Sequence, residues 1–422
     1  MIRNFSVENY RSIKDRQTVS FEATTLDKDM HELLAVEVRP GCFINKLGLF
    51  YGANASGKSN ILFALEAVFE MMILDRTKKD EPIHSYLPFA LTAGKPTEFK
   101  VDFFIGKTEY VYEVSYNRTE ILSESLTYYP TGKPALIYRR KYSGPDTQPD
   151  IEFGSTLGLS AKTKRSLAEA TFNNHSVLGS LGKLSLKEDA GQLTALYNDI
   201  VDNIHNVNGD NIYGTLTKTL KAVCNDSRKK EFYIKLLSKA DFNITNFFVD
   251  EHTSKLYFES GPEGPESPAV LKRRYHISFT NHASDADFEI RQKYQSDGTL
   301  RFIELLDALY DMVTGTHTYF FDELGNRMHY DLLLFYLTIF LHNSEDSQLL
   351  FSTHSIMLLD EDIIRRDLIY LTEKDRESAS TTFTRVSELG LHKNMSLFNA
   401  YRQGKLGARP ETGSPYLNLK KD

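Results

Sequence analysis

The stretch Gly52-Ala53-Asn54-Ala55-Ser56-Gly57-Lys58-Ser59 fits the pattern Gly-x-x-x-x-Gly-Lys-Ser/Thr without a mismatch, and few short patterns limit a fold as tightly. Leu47 to Tyr51 precedes it as an apolar run of strand length, and Asn60 to Phe69 follows with apolar residues at helical spacing. Strand, loop and helix therefore succeed one another as the motif requires. Gly52 and Gly57 allow the backbone to turn sharply, so that N–H groups of Asn54, Ala55, Ser56, Lys58, Ser59 and Asn60 can ring an anionic oxygen at the positive end of a helix. Lys58 is expected to reach the β- and γ-phosphates of ATP, and the Ser59 hydroxyl to ligate Mg²⁺. The bland alternative, a glycine-rich turn with a chance lysine, leaves the flanking strand and helix unexplained.

Three downstream segments gain meaning from this loop. Thr318-Tyr319-Phe320-Phe321 is a compact apolar strand ending in Asp322-Glu323. A carboxylate at a buried strand end can hold Mg²⁺ while its neighbour orients and deprotonates the attacking water, so Asp322 is assigned to the metal and Glu323 to the water. The alternative is a pair of surface acids. Gln348 to Ser352 is a second short buried strand, followed by Thr353 and His354, whose imidazole can bond a γ-phosphate or the catalytic water or can be purely structural. Ser296-Asp297-Gly298-Thr299 opens a helical run and can meet an anion or serve as an ordinary cap.

The rest of the chain reads as a holder for this site. With 422 residues, 41% of them hydrophobic, it can bury a large core and hold more than one unit. A formal charge of −7 argues against a globally basic, nucleic-acid-coating protein. Cys42 and Cys224 are too few for a disulfide framework, the start Met1 to Phe5 lacks a signal-peptide core, and the apolar run Leu332 to Leu341 is too short to span a membrane. A cytoplasmic protein with no membrane partner is expected. The alternating Phe5 to Tyr10 and Thr18 to Phe21 predict an opening antiparallel pair, with Arg11 in the connection, either near nucleotide or in a solvated turn. Strands over 99–105, 110–114, 121–129 and 135–142 predict a meander, and residues 1–154 are assigned to an N-terminal ATPase lobe. Residues 155–240 are predicted as a helical insertion, with helices over 193–204, 216–223 and 231–237. Residues 241–372 form the expected C-terminal ATPase lobe, and 373–422 a tail whose Gly404 to Pro415 stretch could dock a partner. Lys272-Arg273-Arg274 can meet nucleic-acid phosphates or lie on a solvated strand edge, and Asp360 to Asp362 read as a helix start.

In this order the motifs resemble those of ABC-type ATPase heads related to chromosome-maintenance and DNA-repair proteins, with Val7 to Asp15 similar to the strand that begins such heads. The stretches Arg365 to Asp375, Ser387 to Leu389 and Tyr401 to Pro410 resemble the tail of bacterial RloA and AbiL-like ATPases, which are associated with restriction loci and abortive-infection defence. The resemblance implies an α/β P-loop NTPase of ABC-ATPase-head type, with an antiparallel β lobe and a helical insertion. It implies that Ser296 and Gly298 meet the nucleotide of a second copy in a homodimer or higher homo-oligomer, and that His354 is a switch histidine. It also implies ATP hydrolysis that controls a separately encoded nuclease or toxin. Two departures stand out: no Gln lies between Ser59 and Gln148 to hold Mg²⁺, leaving His84, an acid or water to substitute, and Leu324 to His329 lacks a Ser-Leu-His-Pro segment. The rivals are a DNA-clamping repair head, a transporter motor and a scaffold that hardly hydrolyses.

Overall fold

A computed structural model describes residues 1–24, 32–74, 78–145, 147–184, 190–207, 212–240, 242–256, 270–284, 286–392 and 395–407, excepting the side chains of 207, 212–215, 252–256 and 270–274. Strand β1 (Ile2–Glu8) pairs antiparallel with β2 (Gln17–Ser20). A small pair, β3 (Ala35–Arg39) and β4 (Cys42–Asn45), leads into β5 (Leu47–Gly52), buried at every residue, and then into helix α1 (Lys58–Ile73). The meander follows as β6 (Thr97–Ile105), β7 (Thr108–Tyr116), β8 (Ile121–Tyr129), β9 (Ala135–Lys141) and β10 (Asp150–Phe153). Helices α2 (Ala161–Ala170) and α3 (Gly191–Asn203) precede β11 (Ile204–Val207). Then come α4 (Ile212–Cys224), α5 (Ser227–Lys239), β12 (Ile244–Leu256), β13 (Val270–Ala283), β14 (Ala286–Arg291) and α6 (Asp297–Thr314). The order closes with β15 (Thr318–Phe321), α7 (Tyr330–Asn343), β16 (Gln348–Ser352), β17 (Ile369–Lys374), β18 (Thr381–Arg385) and α8 (Leu397–Arg402).

One unit comprises Met1–Asn208, Gly315–Leu324 and Ser344–Asp422. Its central sheet runs β11-β15-β16-β5-β17-β18, parallel except for the last pair. Strands buried on both faces read as unbroken apolar runs, which is why Leu47–Gly52, Thr318–Phe321 and Gln348–Ser352 show no alternation. The second sheet, β10-β9-β8-β7-β6-β1-β2, is antiparallel and alternates buried with half-buried residues. Helix α1 lies between the two. Phe69 packs on Phe320 of the central sheet and Phe103 of the antiparallel one, at ring-centroid distances of 6.3 and 5.5 Å. Large apolar side chains all round α1 are buried, each worth about 1.5–3 kcal/mol relative to exposure. This anchors the helix start directly after the loop. Gln348 ties β1 to the central sheet: its amide accepts from Ile2 N at 2.7 Å and donates to Ile2 O at 3.0 Å. This architecture is that of an α/β P-loop NTPase.

The other unit comprises Gly209–Thr314 and Gly325–Asn343. Its antiparallel sheet β12-β13-β14 accompanies α4 to α7, with Tyr233 against Phe247 and Phe302 stacked on Phe335 at 6.3 Å. Two local expectations differ from the structure. Ile204, expected to end a helix, turns extended (φ −117, ψ 115) and opens β11, because a four-residue parallel pairing with β15 outweighs the helical spacing of α3. Asp360 to Asp362 start no helix; Asp360 ends a short 3-10 turn, its carboxylate accepts from Ser396 Oγ at 3.0 Å, and Glu361 is extended. Among the described residues no helix is long and apolar enough to cross a membrane.

Candidate functional site

Parallel pairing brings the motifs together. Phe321 is in register with Phe351, Phe351 with Leu49 and Ser352 with Phe50, so β15, β16 and β5 leave the sheet at one edge. Ligands of parallel α/β sheets bind beyond such carboxyl ends. The loop after β5, Asp322-Glu323 after β15 and Thr353-His354 after β16 all emerge there.

The loop is held by its glycines. Gly57, at φ 107, caps α1, and a Cβ there would fall 2.4 Å from Thr381 Oγ1. A Cβ at Gly52 would fall 2.4 Å from Thr372 O and 2.5 Å from Ser56 Oγ. Ala55 also adopts a left-handed φ of 62. Lys58 is buried, and its ammonium donates to Gly52 O at 2.9 Å and Ala53 O at 3.0 Å. Burial lowers its pKa, and the charges of Asp322 and Glu323 oppose that shift.

Ser352 organises the acids. Its hydroxyl donates to Asp322 Oδ1 at 2.5 Å and accepts from Glu323 N at 2.8 Å, while Leu324 N donates to Ser352 O at 3.1 Å. Glu323 sits at φ 53, a strained conformation for a residue with a Cβ, and the Ser352 hydroxyl holds its N–H there. The Glu323 carboxylate lies 3.5 Å from His354 Nε2, both side chains about half exposed. Ser352→Ala is expected to lower turnover about tenfold and stability by about 1–2 kcal/mol, read by phosphate release and thermal melting. Unchanged turnover in a folded variant would remove Ser352 from the site.

Lys58, Ser59 and Asn60 share one open cavity with Glu323 and His354, and Asn54, Ala55 and Gly57 also line it. Gly52 and Ser56 line an adjoining cleft that shares Asn54, Ala55 and His354 with the first. Asp322 reaches this group through Ser352 and through its charge on Lys58. Ser296 and Gly298 belong to the other unit. There the Ser296 hydroxyl accepts from Thr299 N at 3.1 Å as a helix cap, and a Cβ on Gly298 would fall 2.8 Å from Arg327 O. Arg11 lies over the Phe63 ring at 4.2 Å, and it is Ser12 that lines the loop cavity. His84 pairs with Glu81 at 3.9 Å. The side chains of Lys272, Arg273 and Arg274, and the tail from residue 408 onward, lie outside the described residues. Ser12, Ser352 and Thr381 were not singled out from the sequence; only the position of Ser352 just before Thr353-His354 hinted at a role.

The residues fit a magnesium-bound nucleotide. Ser56 Oγ is buried with no hydrogen-bond partner among the described residues, inside a cradle that a Cβ on Gly52 would fill. Ser59 and Asp322 offer hard oxygen donors, and no group of three or more His, Cys, Asp or Glu among the described residues is placed to hold a metal alone. Mg²⁺ commonly takes one or two protein ligands and completes its shell from phosphates and water.

The sequence model of a family described as "AAA domain, putative AbiEii toxin, Type IV TA system" matches residues 49–360. No curated protein matches the chain. Among solved structures it is similar to the SMC head domain from Thermotoga maritima, at 12% identity and TM-score 0.39 over 91% of this chain and 98% of that one. It is also similar to an SmcHead bound to the C-winged helix domain of ScpA, at 12% identity and TM-score 0.37, covering 95% and 99%. A third likeness is to an Smc head domain with an extended coiled coil, bound to the C-terminal domain of ScpA derived from Pyrococcus furiosus, at 13% identity and TM-score 0.37, covering 96% and 98%.

Proposed function

The chain belongs to the family described as "AAA domain, putative AbiEii toxin, Type IV TA system", and from that premise we propose that it binds ATP with Mg²⁺ and hydrolyses it to ADP and phosphate. The observation that carries this reading is the meeting of Lys58, Glu323 and His354 at one edge of a parallel sheet, with Asp322 oriented beside them by Ser352. Lys58 exchanges its loop carbonyls for phosphate oxygens. Ser59 and Asp322 hold Mg²⁺, which when bound neutralises charge on the leaving phosphates. Glu323 takes the proton of the attacking water, and His354, already 3.5 Å from Glu323, bonds the same water or the γ-phosphate. The backbone N–H groups of residues 54–60 and the positive end of α1 receive the anion.

Two such heads closing on ATP, each offering Ser296 and Gly298 to the other's nucleotide, would make a homodimer or higher homo-oligomer that opens on hydrolysis, when the γ-phosphate contacts are lost. The family description and the tail resemblance to RloA and AbiL-like ATPases support a role in anti-phage defence; the tail resemblance favours damage done by a separately encoded nuclease or toxin, and the two cysteines suit the cytoplasm. Steady-state phosphate release that requires Mg²⁺, together with ATP-dependent capture of the product of a neighbouring gene, tests this. No phosphate release would leave a nucleotide-binding scaffold. ATP- and salt-dependent DNA binding without any protein effector would favour a repair clamp.

A further inference from the structure

A hydrogen-bond relay ties the loop to β18, which lies two strands from β5 on the side away from β15. Asn60 Nδ2 donates to Ser12 Oγ at 2.6 Å, the Ser12 and Thr381 hydroxyls lie 2.7 Å apart, and Thr381 Oγ1 donates to Ser56 O at 2.8 Å. Because a carbonyl can only accept, Thr381 spends its proton on Ser56 and must accept from Ser12, which fixes the direction of every bond. Thr381 N also donates to Ser12 O at 2.8 Å, and Thr381 is buried. Positions 12, 56–60 and 381 are thus stitched together across most of the chain length.

The peptide between Ser56 and Gly57 is planar and trans, so its N–H points opposite to its C=O. Holding the Ser56 carbonyl on Thr381 therefore aims the Gly57 N–H away from β18, on the side left to a phosphate. A glycine at φ 107 has little intrinsic preference to keep that orientation, and a Cβ at 57 would strike Thr381.

We propose that Thr381 is a positioning residue for nucleotide binding: its hydroxyl locks the Ser56–Gly57 peptide with the N–H directed at the phosphates, and Ser12 holds the hydroxyl in place. This rests on the nucleotide reading of the loop. The effect acts on affinity and not on the chemical step, because Thr381 is on β18 and Glu323 follows β15, two strands away from β5 in opposite directions.

The test measures binding of a fluorescent ATP analogue, and KM and kcat by phosphate release, in the full chain and in Thr381→Val, Thr381→Ser, Ser12→Ala and the Ser12→Ala/Thr381→Val pair. Thr381→Val is expected to weaken binding and raise KM about tenfold with kcat within about twofold of the parent, and Thr381→Ser to restore the parent affinity. The double variant should be no weaker than Thr381→Val, since both act on one relay. Parent-like affinity in Thr381→Val, or an equal loss in Thr381→Ser, overturns the proposal. Should Thr381→Val fail to fold, Ser12→Ala carries the test, with about threefold weaker binding expected and unchanged affinity overturning it. Absence of nucleotide binding by the parent chain overturns the premise itself, an outcome distinct from all of these.

Discussion

Lys58→Ala is expected to weaken ATP binding by about 10²–10³-fold and to bring phosphate release to background. The ammonium is the one cation of the loop motif, and it is already buried against carbonyls that a phosphate oxygen would replace. Removing it leaves the incoming charge with the backbone donors and with the Mg²⁺ proposed at Ser59 and Asp322. The same substitution should not destabilise the ligand-free protein by much, because burial lowers the Lys58 pKa and the folded state bears a cost for the charged form. Below the depressed folded pKa the side chain is charged in both states and that cost is fully present. As pH rises towards the ordinary lysine range, the folded state gives up its proton first and the cost fades. Any gain in melting temperature of the alanine variant should therefore be largest near neutral pH and shrink in alkali. Normal hydrolysis by this variant would falsify the site.

Glu323→Gln is expected to separate binding from chemistry. Glutamine keeps the size and the backbone N–H that Ser352 holds, but it cannot take a proton from water. Turnover should fall about 10²–10⁴-fold while ATP stays bound. Light scattering should then show a larger species with ATP and the parent mass without it, since the γ-phosphate is no longer removed. The 3.5 Å pair with His354 loses its charge in the same variant, so His354→Ala in parallel tells a base from a partner of the histidine. Rapid turnover by Glu323→Gln would transfer the role of base to another group, and loss of ATP binding would make Glu323 part of the nucleotide cradle.

The elements read most clearly from the sequence were those with a continuous local signal. The strands over 99–105 and 110–114, the apolar strand before Asp322-Glu323 and the helix after Ser59 could be read in windows of about ten residues, and the structure has each. Short segments were harder: β11 has four residues, and its extended form depends on Thr318–Phe321 lying alongside. The side chains that tune the site were harder still. Ser352 looks like any small polar residue at a strand end until its hydroxyl is seen between Asp322 and the N–H of Glu323. Thr381 lies more than three hundred residues from the loop it touches.

The chemistry proposed for this protein lies in contiguous residues: a lysine after a glycine-rich turn, two acids after an apolar strand, a histidine after another. Neighbours along the chain share a backbone conformation, so period and composition reveal them. Tertiary structure alone decided that β16 lies between β15 and β5, that the three strand ends share an edge, and that Ser12 and Thr381 bond to each other beside the loop. Those choices are made by the packing of whole faces and by hydrogen bonds between distant residues, and no local pattern encodes which distant partner a face will meet.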